Sequence, residues 1–310
     1  MDYKGFGAWC AAYAFLNTVK SKTVTPELYT LLSGTPFGLK HRHGDSFRIL
    51  TPLIEPCFRM ESTSSMVGYN STKHQFVDAI EAVQFLSRLP LTNRAMIGPI
   101  DMGFLPHLPH NMYYCGQSHY IAVEKLDNQH LLIIDSECVP SYKYEINTFH
   151  KMLNIKNIPE TNGILNIWCF EKQNGFIAMD NWKPTIISIA AKNLLRAEQE
   201  GQGSKAITAC AEFLSGVDMK NWYLKLFYEL NYLIQRKNLF LSQLIKLGAE
   251  VQIRIVEKQL DVLCHIRKGN MCETKINLDF FRYLSSYEQE LAIKMAQLTD
   301  EEVTFNDIHN

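Results

Sequence analysis

Proline is missing from residues 185–310: all 11 prolines lie at or before Pro184, and that stretch holds only five of the 16 glycines. A long segment without helix breakers reads as almost pure helix. An excess of either charge is missing as well. Lys plus Arg is 31 and Asp plus Glu is 32, a net charge of −1. The balance is local too, with 12 basic and 13 acidic residues up to His150 and 19 of each after it. That evenness argues against nucleic acid or an anionic membrane as the partner. No run reaches the roughly 18 apolar residues of a membrane span. Met1 to Trp9 shows no basic region followed by a long apolar core, so no secretion signal is read there. The eight cysteines are therefore expected to be reduced thiols, and the compartment the cytoplasm. There is no GxxxxGK[ST] and no GxGxxG; Gly5-Phe6-Gly7 is too short, and Gly201-Gln202-Gly203 joins two helices. Repeats and low-complexity segments are absent from the sequence.

What is present is a chain of 310 residues that is 46% hydrophobic, enough for one large or two ordinary domains. The punctuation divides it into a mixed, turn-rich part, 1–175, and a helical part, 176–310. In the first part, Trp9 to Val19 reads as an apolar helix entered through Gly5 and Gly7. Thr25-Pro26-Glu27 opens a second helix, with Thr as N-cap and Pro in the first turn, closing near Gly34. Residues 35–75 read as loops and short strands. Gln75 to Leu89 carries a helical apolar stripe stopped by Pro90. Strands follow at Arg94 to Ile100, His119 to Glu124 and His130 to Ile134, the last two joined as a hairpin, and at Asn162 to Phe170. The second part reads as helices over Pro184 to Glu200, Ser204 to Ser215, Asp218 to Arg236, Leu239 to Arg267 and Asp279 to Gln297. Asp218 and Asp279 are the expected N-caps, and Gly201, Gly216 and Gly269 the expected stops.

Cys10 is the first candidate for chemistry. A thiol at a helix N-terminus sits at the positive end of the helix dipole, beside exposed N–H groups that favour a thiolate. The same amides can stabilise an oxyanion on a carbonyl attacked there. Free cysteine is also among the most buried residue types, so Cys10 alone decides little. His119 and Asp135 add to it. His119 opens one strand and Asp135 closes the next, so a hairpin places both near one end. Asp135 can then accept from one imidazole nitrogen and turn the other toward a thiol. The order Cys, His, Asp is that of papain-type nucleophilic sites. Among the other cysteines, Cys169 and Cys210 read as structural, Cys115 lies four residues before His119, and Cys57, Cys138, Cys264 and Cys272 have no partner spacing. A metal site is the competing reading. It rests on His41-x-His43 and His107-x-x-His110, and neither pair has a CxxC or HExxH companion. The aromatics of Trp222 to Tyr232 recur at helical spacing, as core residues do.

The run MIGPIDMGFLPHLPHNMYYCGQSHYIAVEKLDNQHLLIIDSE, Met96 to Glu137, resembles the signature of the butirosin biosynthesis protein H-like family. That signature has an apolar strand ending in Asp (Asp101), a Leu-Pro element (Leu105-Pro106), a His-aromatic strand (His119-Tyr120) and a strand ending in Asp (Asp135). The Cys10 helix and Pro26 to Gly38 resemble it too, and the likeness covers about half the chain. It departs in having Ala11, where the family often has an acid, directly after the cysteine. Papain-like enzymes also place a Gln upstream of the nucleophile, and none occurs between Met1 and Trp9. That leaves the Cys10 amide as the oxyanion donor that the sequence names.

The resemblance implies an α+β fold: a papain-like cysteine-protease core, N-terminal helix plus antiparallel sheet, over 1–175, with a helical C-terminal domain over 176–310. It implies a Cys10–His119–Asp135 triad used for acyl transfer. The acyl group would come from the phosphopantetheine thioester of an acyl or peptidyl carrier protein and pass to a small amine, giving an amide in antibiotic biosynthesis. No cofactor and no metal are implied. One relative of this kind acts in assembly of the polythioamide closthioamide. A peptidase, amidase or thioesterase with the same triad is the alternative.

Overall fold

The computed structural model describes residues 9–41, 50–108, 111–137, 141–179, 181–217, 219–270 and 277–299. The chain forms two compact units. One comprises Met1–Ser33 and Pro56–Ala178, the other Gly34–Glu55 and Met179–Asn310. Thus the second unit also takes the 34–55 excursion, which proline and glycine distribution groups with the first part. Within that excursion, β1 (Leu39–His41) and β2 (Leu50–Pro52) form an antiparallel pair.

The first unit is α+β. Its six-stranded sheet uses β3 (Tyr69–Phe76), β4 (Arg94–Asp101), β5 (Ser118–Lys125), β6 (His130–Ile134), β7 (Tyr142–Glu145) and β8 (Leu165–Lys172). The order is β3-β8-β4-β5-β6-β7, and every neighbouring pair is antiparallel. β4 and β5 are central and buried along nearly their whole length. That is why they appear in the sequence as near-continuous apolar runs rather than alternating ones. Ala95, Ile97, Ile121, Val123, Leu131, Ile133 and Ile167 form one apolar face with Ala82, Val83 and Leu86 of α4 (Ala79–Ser87). α1 (Cys10–Val19) packs against β5, β4 and β8 and against α2 (Pro26–Ser33). It is buried on every face from Ala11 through Thr18, as the apolar run Ala11 to Leu16 requires. Phe15 stacks on Tyr29 at 4.3 Å and meets Tyr69 and Phe170 edge-on. Arg94 donates to the Asn17 carbonyl and pairs with Glu124, pinning the far end of α1 to the sheet.

Several boundaries differ from the sequence reading. The stretch read as loops and short strands holds a helix, α3 (Met60–Met66), besides most of β3. α4 begins at Ala79 and not near Gln75, because the Asp78 carboxylate caps the Ile80 amide at 2.7 Å. The lead glycines Gly5 and Gly7 lie outside the described residues.

The second unit holds α6 (Lys183–Gln199), α7 (Ser204–Ser215), α8 (Met219–Leu247), α9 (Glu250–Asn270) and α10 (Leu278–Leu298); α5 (Ile146–Phe149) belongs to the first. The break expected near residue 238 is instead at Gly248, whose φ of 69° ends α8. Gly269 falls at the expected stop, with α9 ending one residue beyond it at Asn270. Asn277, not Asp279, caps α10: its side chain accepts from the Asp279 amide. Asp218 lies outside the described residues. Among those residues, no helix is long and apolar enough to cross a membrane.

Candidate active site

Cys10 is the first residue of α1 and half-buried. Trp9 precedes it at the N-cap without a side-chain cap, and the first helical bond runs from the Tyr13 amide to the Trp9 carbonyl at 3.0 Å. The first-turn amides therefore have no partner within the helix, as at any helix start. His119 is the second residue of β5, paired opposite Ile100 of β4, and only 2% exposed. Asp135 follows directly on β6 and is 1% exposed. The β5–β6 pairing, with Ala122 opposite Ile134, brings both side chains to one end of the hairpin.

The three residues converge. His119 Nε2 lies 2.7 Å from Asp135 Oδ1. A carboxylate only accepts, so Nε2 carries the hydrogen and Nδ1 is the nitrogen left for Cys10. Burial disfavours a charged His119. Against it, the Asp135 charge, the Cys10 charge and side-chain hydrogen bonds with both hold the imidazole well above its usual pKa. Burial likewise disfavours an Asp135 carboxylate. The His119 charge, hydrogen bonds from His107 and His119 and the Glu137 amide outweigh it and keep the carboxyl well below the usual range. The Glu137 amide donates to Oδ1 at 3.0 Å. Burial pushes the Glu137 carboxyl up, His119 pulls it down and Asp135 raises it.

His107 was not singled out as a catalytic-site residue in the sequence, only as half of a metal pair. Its Nε2 lies 2.8 Å from the second carboxylate oxygen, Oδ2, with both side chains fully buried. Two imidazoles thus flank one carboxylate. His107 rides on the loop between β4 and β5, and Leu105 and Leu108 on either side are buried in the sheet's apolar cluster. Asp101 closes that loop at its neck. Its carboxylate accepts from the amides of Gly103 and Gly116 and from Asn157 Nδ2, each at 2.9 Å. Gly103 is required there, since a Cβ would sit 2.4 Å from Cys115 Sγ. The strand-ending Asp101 of the signature is therefore a loop clasp. The sequence signal for His107 is a histidine between two apolar anchors in a proline-flanked loop, which also describes ordinary packing.

His43 and His110 lie outside the described residues, as do Cys138 and Cys272. Among the described residues, no group of three His, Cys, Asp or Glu is placed to hold a metal ion. Cys57 and Cys210 are buried. Burial raises the thiols of Cys115, Cys169 and Cys210, the opposite of activation. A cavity of about 700 Å³, lined by Val77, His150, Lys151 and Lys156 among others, contains none of Cys10, His119 and Asp135.

No family model matches the chain. Over 183 residues, 58% of its length, it is 24% identical to "Uncharacterized protein YobF" of Bacillus subtilis (strain 168). The chain spans 58% of that relative's length.

Proposed function

We propose that this protein is a cysteine-dependent acyltransferase that forms amides through an acyl-Cys10 intermediate. The observation that carries the reading is the convergence of a helix-N-terminal thiol, an imidazole and a buried carboxylate from α1, β5 and the end of β6. A helix bearing the thiol, packed on an antiparallel sheet bearing the other two, is also the arrangement of a papain-like core. His119 takes the Cys10 proton through Nδ1 while Asp135 holds Nε2–H. The thiolate attacks a thioester carbonyl, the carbonyl–sulfur bond breaks, and the departing thiolate takes the proton from the imidazolium. An amine then attacks the acyl-Cys10, His119 accepts the amine's proton, and the amide leaves with Cys10 restored. The donor is a carrier-protein phosphopantetheine thioester and the acceptor a small amine. Exchange of one thioester for another is nearly balanced and amide formation is downhill, so no nucleotide is needed.

The test is incubation with a carrier-bound acyl thioester, with and without a panel of amines. Amide product, an acyl adduct on Cys10 by mass spectrometry, and loss of both in Cys10→Ala are the expected results. Free acid in every reaction, whatever the amine, would make the protein a hydrolase with the same triad.

A further inference from the structure

We propose that His107 is a positioning residue of this site: by donating Nε2–H to Asp135 Oδ2 it fixes the carboxylate plane that orients His119. The proposal rests on the triad reading above and deepens it.

The geometry gives each carboxylate oxygen its own imidazole. Oδ1 receives His119 at 2.7 Å and the Glu137 amide at 3.0 Å, and Oδ2 receives His107 at 2.8 Å. A carboxylate held at one oxygen alone can turn about its Cβ–Cγ bond. Held at both oxygens, it cannot turn without breaking a bond in a site where no water replaces it, since the side chains of Asp135 and His107 are fully buried. A buried acceptor left unsatisfied is costly, more so when charged. The lock is itself held firm. The His107 ring lies 5.1 Å from Tyr142 and 6.2 Å from Tyr144 of β7, centroid to centroid. Leu105 and Leu108 anchor its loop on both sides. Among the groups facing Asp135 and His107 are His119, the Glu137 amide and carboxyl, Tyr142 and Tyr144, with Cys10 beyond His119.

The role is separable from packing, because a glutamine amide reproduces the Nε2–H position of histidine and a phenylalanine ring reproduces only the shape. The readout is the rate of Cys10 alkylation by iodoacetamide against pH, followed at Cys10 by peptide mass spectrometry in the full-length protein. It needs no acyl donor, so it is independent of whether the acceptor is an amine or water. Wild-type Cys10 is expected to alkylate near neutral pH about tenfold or more faster than Cys10 of His119→Gln, which has no imidazole beside the thiol. His107→Gln should keep the wild-type dependence on pH, with a rate within about threefold. His107→Phe should lose about tenfold or more near neutral pH. If His107→Phe does not fold, His107→Asn replaces it, since its amide is too short to reach Oδ2. A folded His107→Phe with the wild-type profile would overturn the proposal. So would a His107→Gln as impaired as His107→Phe, which would make His107 a packing residue. A wild-type Cys10 that alkylates no faster than that of His119→Gln would overturn the triad reading instead, a result distinct from either.

Discussion

Three donors on one carboxylate explain how Asp135 stays ionised where water cannot reach it. A single buried charge without partners costs several kcal/mol, so the hydrogen bonds from His119, His107 and the Glu137 amide are the condition for the charge. Asp135→Asn keeps the shape but removes the charge and offers only one acceptor oxygen to two imidazoles. We expect Cys10 reactivity near neutral pH to fall on the order of 10²-fold, the size of a lost acid–base contribution, and an unchanged alkylation rate would contradict that. Stability should follow pH as well. His119 has a raised pKa in the folded protein, so its contribution is complete below its unfolded value of about 6.5 and is lost as pH rises through the folded value. Asp135 has a lowered one, so its contribution holds above about pH 3.9 and is lost as pH falls through its folded value. The melting temperature of wild type should therefore decline above neutral pH more steeply than that of His119→Gln. Parallel curves would contradict the raised pKa. Cys10, His119 and Asp135 were legible because each stands at the end of an apolar element, where a polar residue is conspicuous. His107 was not, because its partner lies 28 residues away in sequence and only the closed Asp101 loop brings the two together.

Elements were legible where burial is one-sided or complete. α7 and β6 fall where their apolar patterns end, and β4 and β5 within a residue or two of it. β3 was not placed within the stretch read as loops and short strands because it is an edge strand of mostly polar residues (YNSTKHQF), half-buried at best, so no apolar alternation marks it. β7 was missed for the same reason, being four residues at the other edge. Gly248 and Gly269 differ in a way that sequence does not display. Gly248 sits at φ 69° and Gly269 inside α9, and a Cβ at either meets no atom within 4 Å. Backbone conformation alone then sets the sign of a substitution. Gly248→Ala should cost about 1–2 kcal/mol, whereas Gly269→Ala should gain about 0.5–1 kcal/mol from helix propensity. Urea denaturation of the two variants checks this, and the same sign in both would contradict the placement of the α8 stop. Asn277→Ala should likewise cost about 1 kcal/mol as a lost cap, and Asp279→Ala less.

At the scale of the whole molecule, the helical unit is not a continuous piece of chain. Its core includes Leu39 of β1 and Leu50 of β2, packed with Ile207, Leu230 and Phe281. Two of its buried charges, Arg236 and Glu229, depend on the same excursion. Arg236, 1% exposed on α8, donates to the carbonyls of Thr35 and Gly38. Glu229, about two turns earlier on the same face and also buried, accepts the Leu50 amide at 2.7 Å. The α6–α7 turn is tied in too, with the Gly203 amide on the Leu39 carbonyl at 2.8 Å and the Gln202 side chain on the His41 amide. A cut after residue 175, where composition changes, would remove these hydrogen bonds. Breaking one buried charge from its partners costs about 3–5 kcal/mol, a large share of the 5–15 kcal/mol that holds an ordinary domain. The fragment 176–310 alone should therefore be loosely packed, with early exchange of amide hydrogens along α8. Adding a peptide of residues 34–55 should restore protection at α8 and raise the melting temperature in proportion to peptide concentration, as a ligand of the folded state does. A fragment that is fully protected without the peptide would show that α6 to α10 close their own core, and that 34–55 only lies upon it.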